Sequence, residues 1–201
     1  MPRRTLFLLL AAVKIGVLVA IAAPVWSADG APASAPVAAT AAASAAASAA
    51  DFAQATATFR RASDGDSAAI APALAQFTAL LQGRPDDPLL LAYTGAATAM
   101  HARTTLLPWK KMRHAEDGLA QIDRALALLT PAHDAELRRG VPVALETRLT
   151  AAGTFLALPS LFHRGERGRR LIDDVLKHPA FATTPAEFQA AARHTAAKVA
   201  S

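Results

Sequence analysis

The sequence predicts an all-α protein built from stacked antiparallel helix hairpins, with about six or seven helices. Two observations support this fold class. From Asp51 onward the apolar residues recur at helical spacing, and no segment sustains the alternation of a strand. In addition, the pattern Gly-x-x-x-Ile-Asp-x-x-Leu occurs twice, at 118–126 and 168–176. A helical unit with one apolar stripe can bury it only against neighbouring units, so the repetition indicates a stack, with Gly118 and Gly168 at close helix crossings.

The chain begins with an export or anchoring signal. Basic residues at 3 and 4 precede an apolar run at 5–23, which is followed by small residues. This layout is typical of a secretory signal peptide, which we place at 1–28. The alternative is an uncleaved N-terminal anchor that tolerates Lys14 within the bilayer. We therefore expect a periplasmic or otherwise exported protein, anchored to the inner membrane if the signal is not cleaved.

The segment 29–50 is predicted to be a flexible tether. It consists almost entirely of Ala, Pro, Ser and Thr and contains no aromatic residue, so it cannot bury enough apolar surface to fold. Its later part, 38–50, has an alternative as nascent helix, because alanine is the strongest helix former. The helical repeat domain is placed at 51–201.

Composition excludes several classes of function. The chain has no cysteine, which excludes disulfides, thiolate metal sites, thiol nucleophiles and a lipid-modified cysteine anchor. Three of the 21 basic residues lie in the signal, so the remaining 18 face 16 acidic residues and the net charge falls from +5 to about +2. This near balance argues against a nucleic-acid partner.

Glycine and proline delimit the helices of the domain. The first ends at the turn 64–66, where Asp66 or Ser67 caps the second helix. The long fifth helix is expected to bend near Pro142, which lacks a backbone donor. The predicted helices are one through Phe52 and Phe59, one through Ala73–Leu81, then Leu89–Arg103, Ala115–Leu129, Ala135–Leu158, one containing Gly168–Leu176, and Pro185–Val199.

The last of these helices carries a complete start signal. Thr184 is the expected N-cap, Pro185 occupies the first helical position and Glu187 the third. In a capping box the threonine hydroxyl and the glutamate carboxylate each accept a hydrogen bond from a free backbone N–H group of the first turn.

The spacing of several residues resembles that of the tetratricopeptide family. The small, large, small-to-medium and proline series of that family's second helix is matched by Ala73, Phe77, Leu80 and Pro85, and Leu91 with Gly95 match the next first helix. Further matches are Gly118, Ile122, Ala125 and Thr130-Pro131, then Gly140, then Gly168, Ile172 and Val175. The resemblance covers roughly 69–179, with both full repeats lengthened. It implies a right-handed stack of antiparallel helix pairs with a concave face for peptides or partner helices.

Two loops of similar composition are the candidate binding site. The first, 103–114, combines Trp109 with four cations, and the second, 158–167, repeats the leucine, proline, aromatic and basic residues. Both lie at the junction of consecutive hairpins, so we expect them on one side of the stack. A cation beside an exposed aromatic ring can bind a carboxylate, a phosphate-bearing group or an acidic helix. The candidate binding residues are Arg103, Trp109, Lys110, Lys111, Arg113, Phe162, His163 and Arg164. In the alternative interpretation, Trp109 and Phe162 pack between helices and the cations are only solvated.

No pattern of catalytic or metal-binding residues stands out. The six histidines form neither His-x-x-x-His nor His-Glu-x-x-His, and Gly-x-Ser-x-Gly does not occur. Asp123 and Asp173 recur at equivalent positions, which we interpret as a solvated face or as partners of N–H or arginine groups between adjacent repeats. We therefore assign no catalytic residue, metal or cofactor.

The sequence thus favours an exported, non-enzymatic module that binds a peptide or a segment of a partner protein, such as one from an envelope complex, through a helical groove and the two loops. The alternative is a small-ligand carrier or minor enzyme with a pocket between the loops, where His101, His114 and His163 supply acid–base chemistry. The positions of Trp109 and Phe162 discriminate between them. An enclosed cavity shared with a histidine would favour the pocket, and an open surface would favour the interaction module.

Overall fold

The computed structural model describes residues 35–200, with side chains from 46 to 198. The signal 1–28 and the start of the predicted tether lie outside this part. The helices are α1 (Ala35–Ser63), α2 (Ile70–Gly83), α3 (Pro88–His101), α4 (Pro108–Ala127), α5 (Ala132–Ala135), α6 (Val143–Ala157), α7 (Gly165–Lys177) and α8 (Ala186–Ala200). Short 3₁₀ turns lie at Ser67–Ala69, Ser160–Phe162 and Pro179–Thr183, and a small hairpin pairs β1 (Leu137–Arg138) with β2 (Val141–Pro142).

The all-α fold class is confirmed. Among the described helices, none is long and apolar enough to cross a bilayer.

Consecutive helices pack in pairs, with α3 at the centre. Helix α1 packs on α2, α3 on α4, and α6 on α7, while α3 also contacts α2 and α6. Helix α8 packs against α7 and α6. Every residue of α3 from Pro88 to Ala97 is buried, which is the pattern of a helix covered on all sides. Helix α3 therefore forms the interior of the stack and does not line the concave face that the resemblance implies.

The core beside α3 is an aromatic cluster that joins α1, α2 and α3. Phe77 and Tyr93 stack with ring centroids 4.6 Å apart, and Phe52 and Phe59 meet these two rings edge-on. Phe52 and Phe59 are the residues whose helical spacing predicted the first helix. Aromatic pairs of this geometry stabilise by about 0.5–1.5 kcal/mol beyond their buried area.

The two glycines of the repeated pattern lie at helix crossings, as the repeat predicted. A Cβ atom on Gly118 would stand 2.5 Å from the carbonyl oxygen of Gly95 and 2.7 Å from the backbone nitrogen of Ala99, both on α3. A Cβ atom on Gly168 would stand 2.9 Å from Cγ of Leu156 on α6. The first crossing is backbone against backbone, whereas the second presses on a side chain.

The predicted long fifth helix is wrong, because a β-hairpin interrupts it. Arg139 and Gly140 connect β1 to β2 with φ of +51° and +77°, and positive φ at both central residues is the requirement of a type I′ turn. Val141 precedes Pro142 and is kept out of the helical region by the proline ring. The helix therefore begins only at Val143.

Three further helix starts differ from prediction. Helix α1 begins at Ala35, so the alanine-rich part of the predicted tether is helical, in keeping with the propensity of alanine, although the domain boundary itself stays a prediction. Helix α4 begins at Pro108, since proline is favoured in the first helical turn, and this places Trp109 in a helix instead of a loop.

At the start of α8, the Thr184 hydroxyl donates to the carbonyl of Phe181, and Glu187 pairs with Arg60 of α1. These two side chains thus hold other partners than the predicted capping box.

Asp66, one of the two predicted caps, caps the 3₁₀ turn Ser67–Ala69 that leads into α2, whereas α2 itself has no side-chain cap; a stronger cap appears at Asp87. The Asp66 carboxylate accepts from the backbone N–H of Ala68 at 3.0 Å. The Asp87 carboxylate accepts from Leu89 and Leu90, both at 3.1 Å, and starts α3. A side-chain cap of this kind contributes about 1 kcal/mol.

Candidate binding surface

The first predicted loop and the start of α4 form an exposed surface of apolar and basic side chains. Leu106 is 92% exposed and Trp109 is 66% exposed, and Leu107 and Met112 are also open to solvent. The cations of this segment are all exposed. We call this surface the basic-aromatic patch and define it by Arg103, Leu106, Leu107, Trp109, Lys110, Lys111, Met112 and Arg113.

Local chemistry explains why this segment projects from the stack. Helix α3 ends at His101, whose carbonyl oxygen accepts the hydroxyls of Thr104 and Thr105 at 3.1 and 3.0 Å. These bonds close the turn after α3 and leave 106–107 as a short connection to α4. The buried face of α4 begins at Ala115. Because six residues correspond to one and two-thirds turns, Trp109 lies on the other side of the helix from that face.

The patch is electropositive and only weakly neutralised. Helix α4 has no acidic residue in its first turn and no side-chain cap. Lys110 and Lys111 thus add charge to the positive end of the helix dipole, which disfavours them there. Arg113 reaches Asp117 at 3.9 Å, but both side chains are exposed, so this pair contributes little.

The second predicted loop is mainly structural. Phe162 is half-buried and packs against a cluster that contains Leu119 and Phe155. Arg164 pairs with Asp123 of α4 at 2.9 Å and lies over the Phe155 ring at 5.6 Å from its centroid. The packing interpretation of the aromatic residues thus fits Phe162 and does not fit Trp109.

The structure divides the predicted site into two parts. Arg103, Trp109, Lys110, Lys111 and Arg113 are all exposed within the segment 103–113, whereas Arg164 pairs with Asp123 in the later part of α4. Asp123, the partner of Arg164, lies about 21 Å along the helix axis from Trp109. His163 is exposed at the end of a 3₁₀ turn, with φ of +52°.

The pocket alternative expects Trp109 and Phe162 to line one enclosed cavity with a histidine. Two open depressions are present, one beside Arg148 and His178 and one beside Arg84 and Arg138, and neither Trp109 nor Phe162 lines them. His101 and His114 do meet, with ring centroids 4.8 Å apart, below the patch. His163 belongs to the second loop. Trp109 is largely exposed, so it does not lie inside an enclosed cavity with a histidine.

Asp123 has the arginine partners that one interpretation of the sequence predicted. It pairs with Arg164 and with Arg167, so that α4 is tied to the start of α7 in the next helix pair. Asp173, at the equivalent position, is exposed and pairs with Lys177 of its own helix at 3.6 Å. Asp123 therefore helps to hold α4 against the next helix pair, whereas Asp173 lies on a solvent-exposed face.

Sequence reasoning missed a buried polar cluster at the junction of α1, α3 and α6. The Tyr93 hydroxyl donates to Oε1 of Glu146 at 2.6 Å. Arg139, from the hairpin tip, donates to the same oxygen and, at 2.9 Å, to the hydroxyl of Thr56. Next to it, Arg138 pairs with Asp87, the cap of α3. Adjacent arginines before a glycine were the only signal, and their partners are far away in the sequence.

Burial and charge shift the pKa values within this cluster. Burial, reinforced by the nearby Glu146 carboxylate, raises the pKa of Tyr93 well above its usual value of 10.0. Partial burial lowers the pKa of Arg139, but Glu146 and Tyr93 outweigh it and the net shift is upward. Tyr93 therefore stays a neutral phenol and Arg139 a charged guanidinium at neutral pH, and the hydrogen bonds of the cluster join α1, α3 and α6.

Comparison with family models, with curated proteins and with solved structures finds no match to this chain.

Proposed function

We propose that this protein is a non-enzymatic interaction module, exported and tetratricopeptide-like, that binds an anionic partner through the basic-aromatic patch. The observation that carries the proposal is the exposure of Leu106 and Trp109 among four cations. Contiguous apolar side chains on a surface are typical of binding sites, whereas singly scattered ones need no explanation.

Folding does not account for the residues of the patch. Helix α4 packs onto the rest of the protein through its C-terminal half, where Gly118 contacts α3 and Ile122 is fully buried. In contrast, Trp109 and Leu106 make their surface available to water, and Lys110 and Lys111 oppose the helix dipole. When side chains that do not favour folding cluster in one segment, binding of a ligand best explains why they are there.

The patch has the chemistry of a surface for carboxylates or phosphates. Tryptophan and arginine are the side chains that most often dominate binding energy at interfaces. Exposed cations steer an anionic partner and are screened by salt over about 8–10 Å at moderate ionic strength. The sequence analysis expected a peptide or a segment of a partner protein, and acidic side chains on such a segment would complement the patch.

The test is a comparison of partner capture by matched variants of the full chain. In the patch variant, Lys110, Lys111 and Arg113 are replaced by Ala. In the control variant, Arg169, Arg170 and Lys177 of α7 are replaced by Ala, which changes the net charge by the same amount at another exposed site. A cross-linker is placed at position 112 in all three chains.

We expect partners to be cross-linked by the parent and the control and lost from the patch variant, with unchanged helix content in all three. Binding should also weaken as salt rises. If a partner is captured and both the patch variant and the control capture it equally at every salt concentration, the patch does not bind that partner.

A further inference from the structure

We propose that the anionic partner of the basic-aromatic patch is the surface of a lipid bilayer that contains anionic phospholipid. This inference rests on the proposed function, in which the patch binds an anionic partner, and it names that partner as lipid instead of a protein segment. Trp109, Met112 and the two leucines would enter the interfacial layer, while the lysines and arginines contact phosphate groups.

The shape of the apolar part favours lipid. Leu106 is 92% exposed and lies with Leu107 in the connection between α3 and α4. These side chains are exposed at the end of the α3–α4 helix pair, and neither lines the depression beside Arg148 or the one beside Arg84. A protein partner needs a complementary cavity for such a tip, whereas a bilayer interface accepts a projecting leucine directly. Tryptophan is also enriched at membrane interfaces, where its apolar ring and polar N–H group are both accommodated.

The lysines beside Trp109 also favour a lipid partner. Lysine is depleted from the cores of protein interfaces, yet Lys110 and Lys111 directly follow Trp109 in the chain. Basic clusters beside apolar residues are typical of surfaces that bind anionic headgroups. Long lysine and arginine side chains can also extend toward phosphates while their methylene groups stay in the apolar layer.

The absence of carboxylates from the tip is the third observation. The segment from Arg103 to Ala115 contains no Asp or Glu, and the first acidic residue of α4 is Glu116. At 1.5 Å per residue, Glu116 is about 10 Å along the helix axis from Trp109. Within this segment, a bilayer that reaches Trp109 meets four cations and no carboxylate.

The test uses the tryptophan of the patch as a local probe in the full chain. The sequence contains two tryptophans, Trp26 and Trp109, so Trp26→Phe leaves a single reporter. A local probe is needed because the apolar run at 5–23 is expected to associate with vesicles by itself. The vesicles are phosphatidylcholine alone or phosphatidylcholine with phosphatidylglycerol, each with or without brominated acyl chains as quencher.

We expect Trp109 emission to shift to the blue and to be quenched by brominated lipid only when phosphatidylglycerol is present. Each cation near an anionic surface changes partitioning about fivefold. Replacing Lys110, Lys111 and Arg113 with Gln should therefore weaken insertion of the patch on the order of a hundredfold. The same replacement at Arg169, Arg170 and Lys177 should leave it unchanged.

Leu106→Gln is a second variant that separates insertion from folding, because a side chain so exposed contributes little to stability. It should reduce quenching of Trp109 while circular dichroism and melting stay those of the parent. Soluble glycerol phosphate, added as a competitor at millimolar concentration, should not displace the patch, since it offers charge without an interface.

Three outcomes decide between the claims. Quenching that depends on phosphatidylglycerol and on the patch supports the lipid inference. If Trp109 keeps its solvent-exposed emission on anionic vesicles while a protein is cross-linked through the patch, the lipid inference fails and the proposed function stands. If neither lipid nor protein depends on the patch, both are overturned.

Discussion

The crossing of α3 and α4 gives a sharp test of the packing. Replacing Gly118 with Ala adds one methyl group 2.5 Å from the carbonyl oxygen of Gly95 and 2.7 Å from the backbone nitrogen of Ala99. Ordinary contacts begin near 3.4 Å. The helices must therefore separate by roughly 1 Å, because neither neighbour is a side chain that can rotate away.

The expected magnitude follows from two opposing terms. Overpacking of a well-packed crossing costs up to about 3 kcal/mol, and alanine in place of glycine within a helix returns about 1 kcal/mol. Gly118→Ala should thus lower the free energy of unfolding by about 2 kcal/mol. For a domain of this size that corresponds to a fall in melting temperature of about 4–8 °C.

Two other glycines provide matched controls for the same substitution. At Gly168 the added Cβ would meet Cγ of Leu156 at 2.9 Å and Cβ of Phe155 at 3.2 Å, which are longer contacts than those at Gly118 and are made with side chains, so Gly168→Ala should cost less than Gly118→Ala. At Gly153, within α6, no atom lies within 4 Å of the added Cβ, so Gly153→Ala should stabilise by up to about 1 kcal/mol. Urea denaturation of the three variants gives the order. If Gly118→Ala is as stable as Gly153→Ala, the close crossing of α3 and α4 is refuted.

Three further predictions concern the buried cluster and the patch. Tyr93 is the single tyrosine of the chain, and because its pKa is raised in the folded state, the folded protein holds this proton where the unfolded chain has lost it. Its contribution to stability is therefore full below about pH 10 and falls as the pH rises further, and phenolate absorbance should appear only above that pH. Glu146→Ala should lower the free energy of unfolding by about 2–3 kcal/mol, measured by urea denaturation. This is less than the loss of a fully buried ion pair would cost, because the Arg139 side chain is 37% exposed. An unchanged urea midpoint would contradict a stabilising ion pair between Glu146 and Arg139. Trp109→Ala should leave the melting temperature within about 1 °C, and a loss of several kcal/mol would show that the indole is packed.

The sequence predicted the parts of the fold that depend on local periodicity and spacing. The stripe containing Phe52 and Phe59 is the face that α1 buries, and the repeated glycines lie at helix crossings. These features could be predicted because a helix repeats every 3.6 residues and a side chain at a crossing would separate the backbones.

What could not be predicted depends on backbone conformation and long-range contacts. Arg139 has positive φ, which its residue type does not suggest, and the hairpin was therefore interpreted as a bend in a helix. The order Val141-Pro142 was a usable signal, because the residue before a proline avoids the helical region. The hydrogen bond between Tyr93 and Glu146 joins residues 53 positions apart, and no local sequence pattern at either residue predicts it.

The candidate site shows the same division. The two loops have similar composition, yet Arg164 pairs with Asp123 of α4, whereas Lys110 has no acidic residue in its own helical turn. Composition alone could not separate these roles. The difference arises from where each loop meets the neighbouring helix pair.

The most direct test of the account is the solvent accessibility of Trp109 in the full Trp26→Phe chain, measured by emission and acrylamide quenching before any partner is added. Because the side chain is 66% exposed, the account predicts emission close to that of free tryptophan in water and efficient quenching. Blue-shifted emission and protection from acrylamide in the protein alone would contradict the claim that the basic-aromatic patch is a free binding surface.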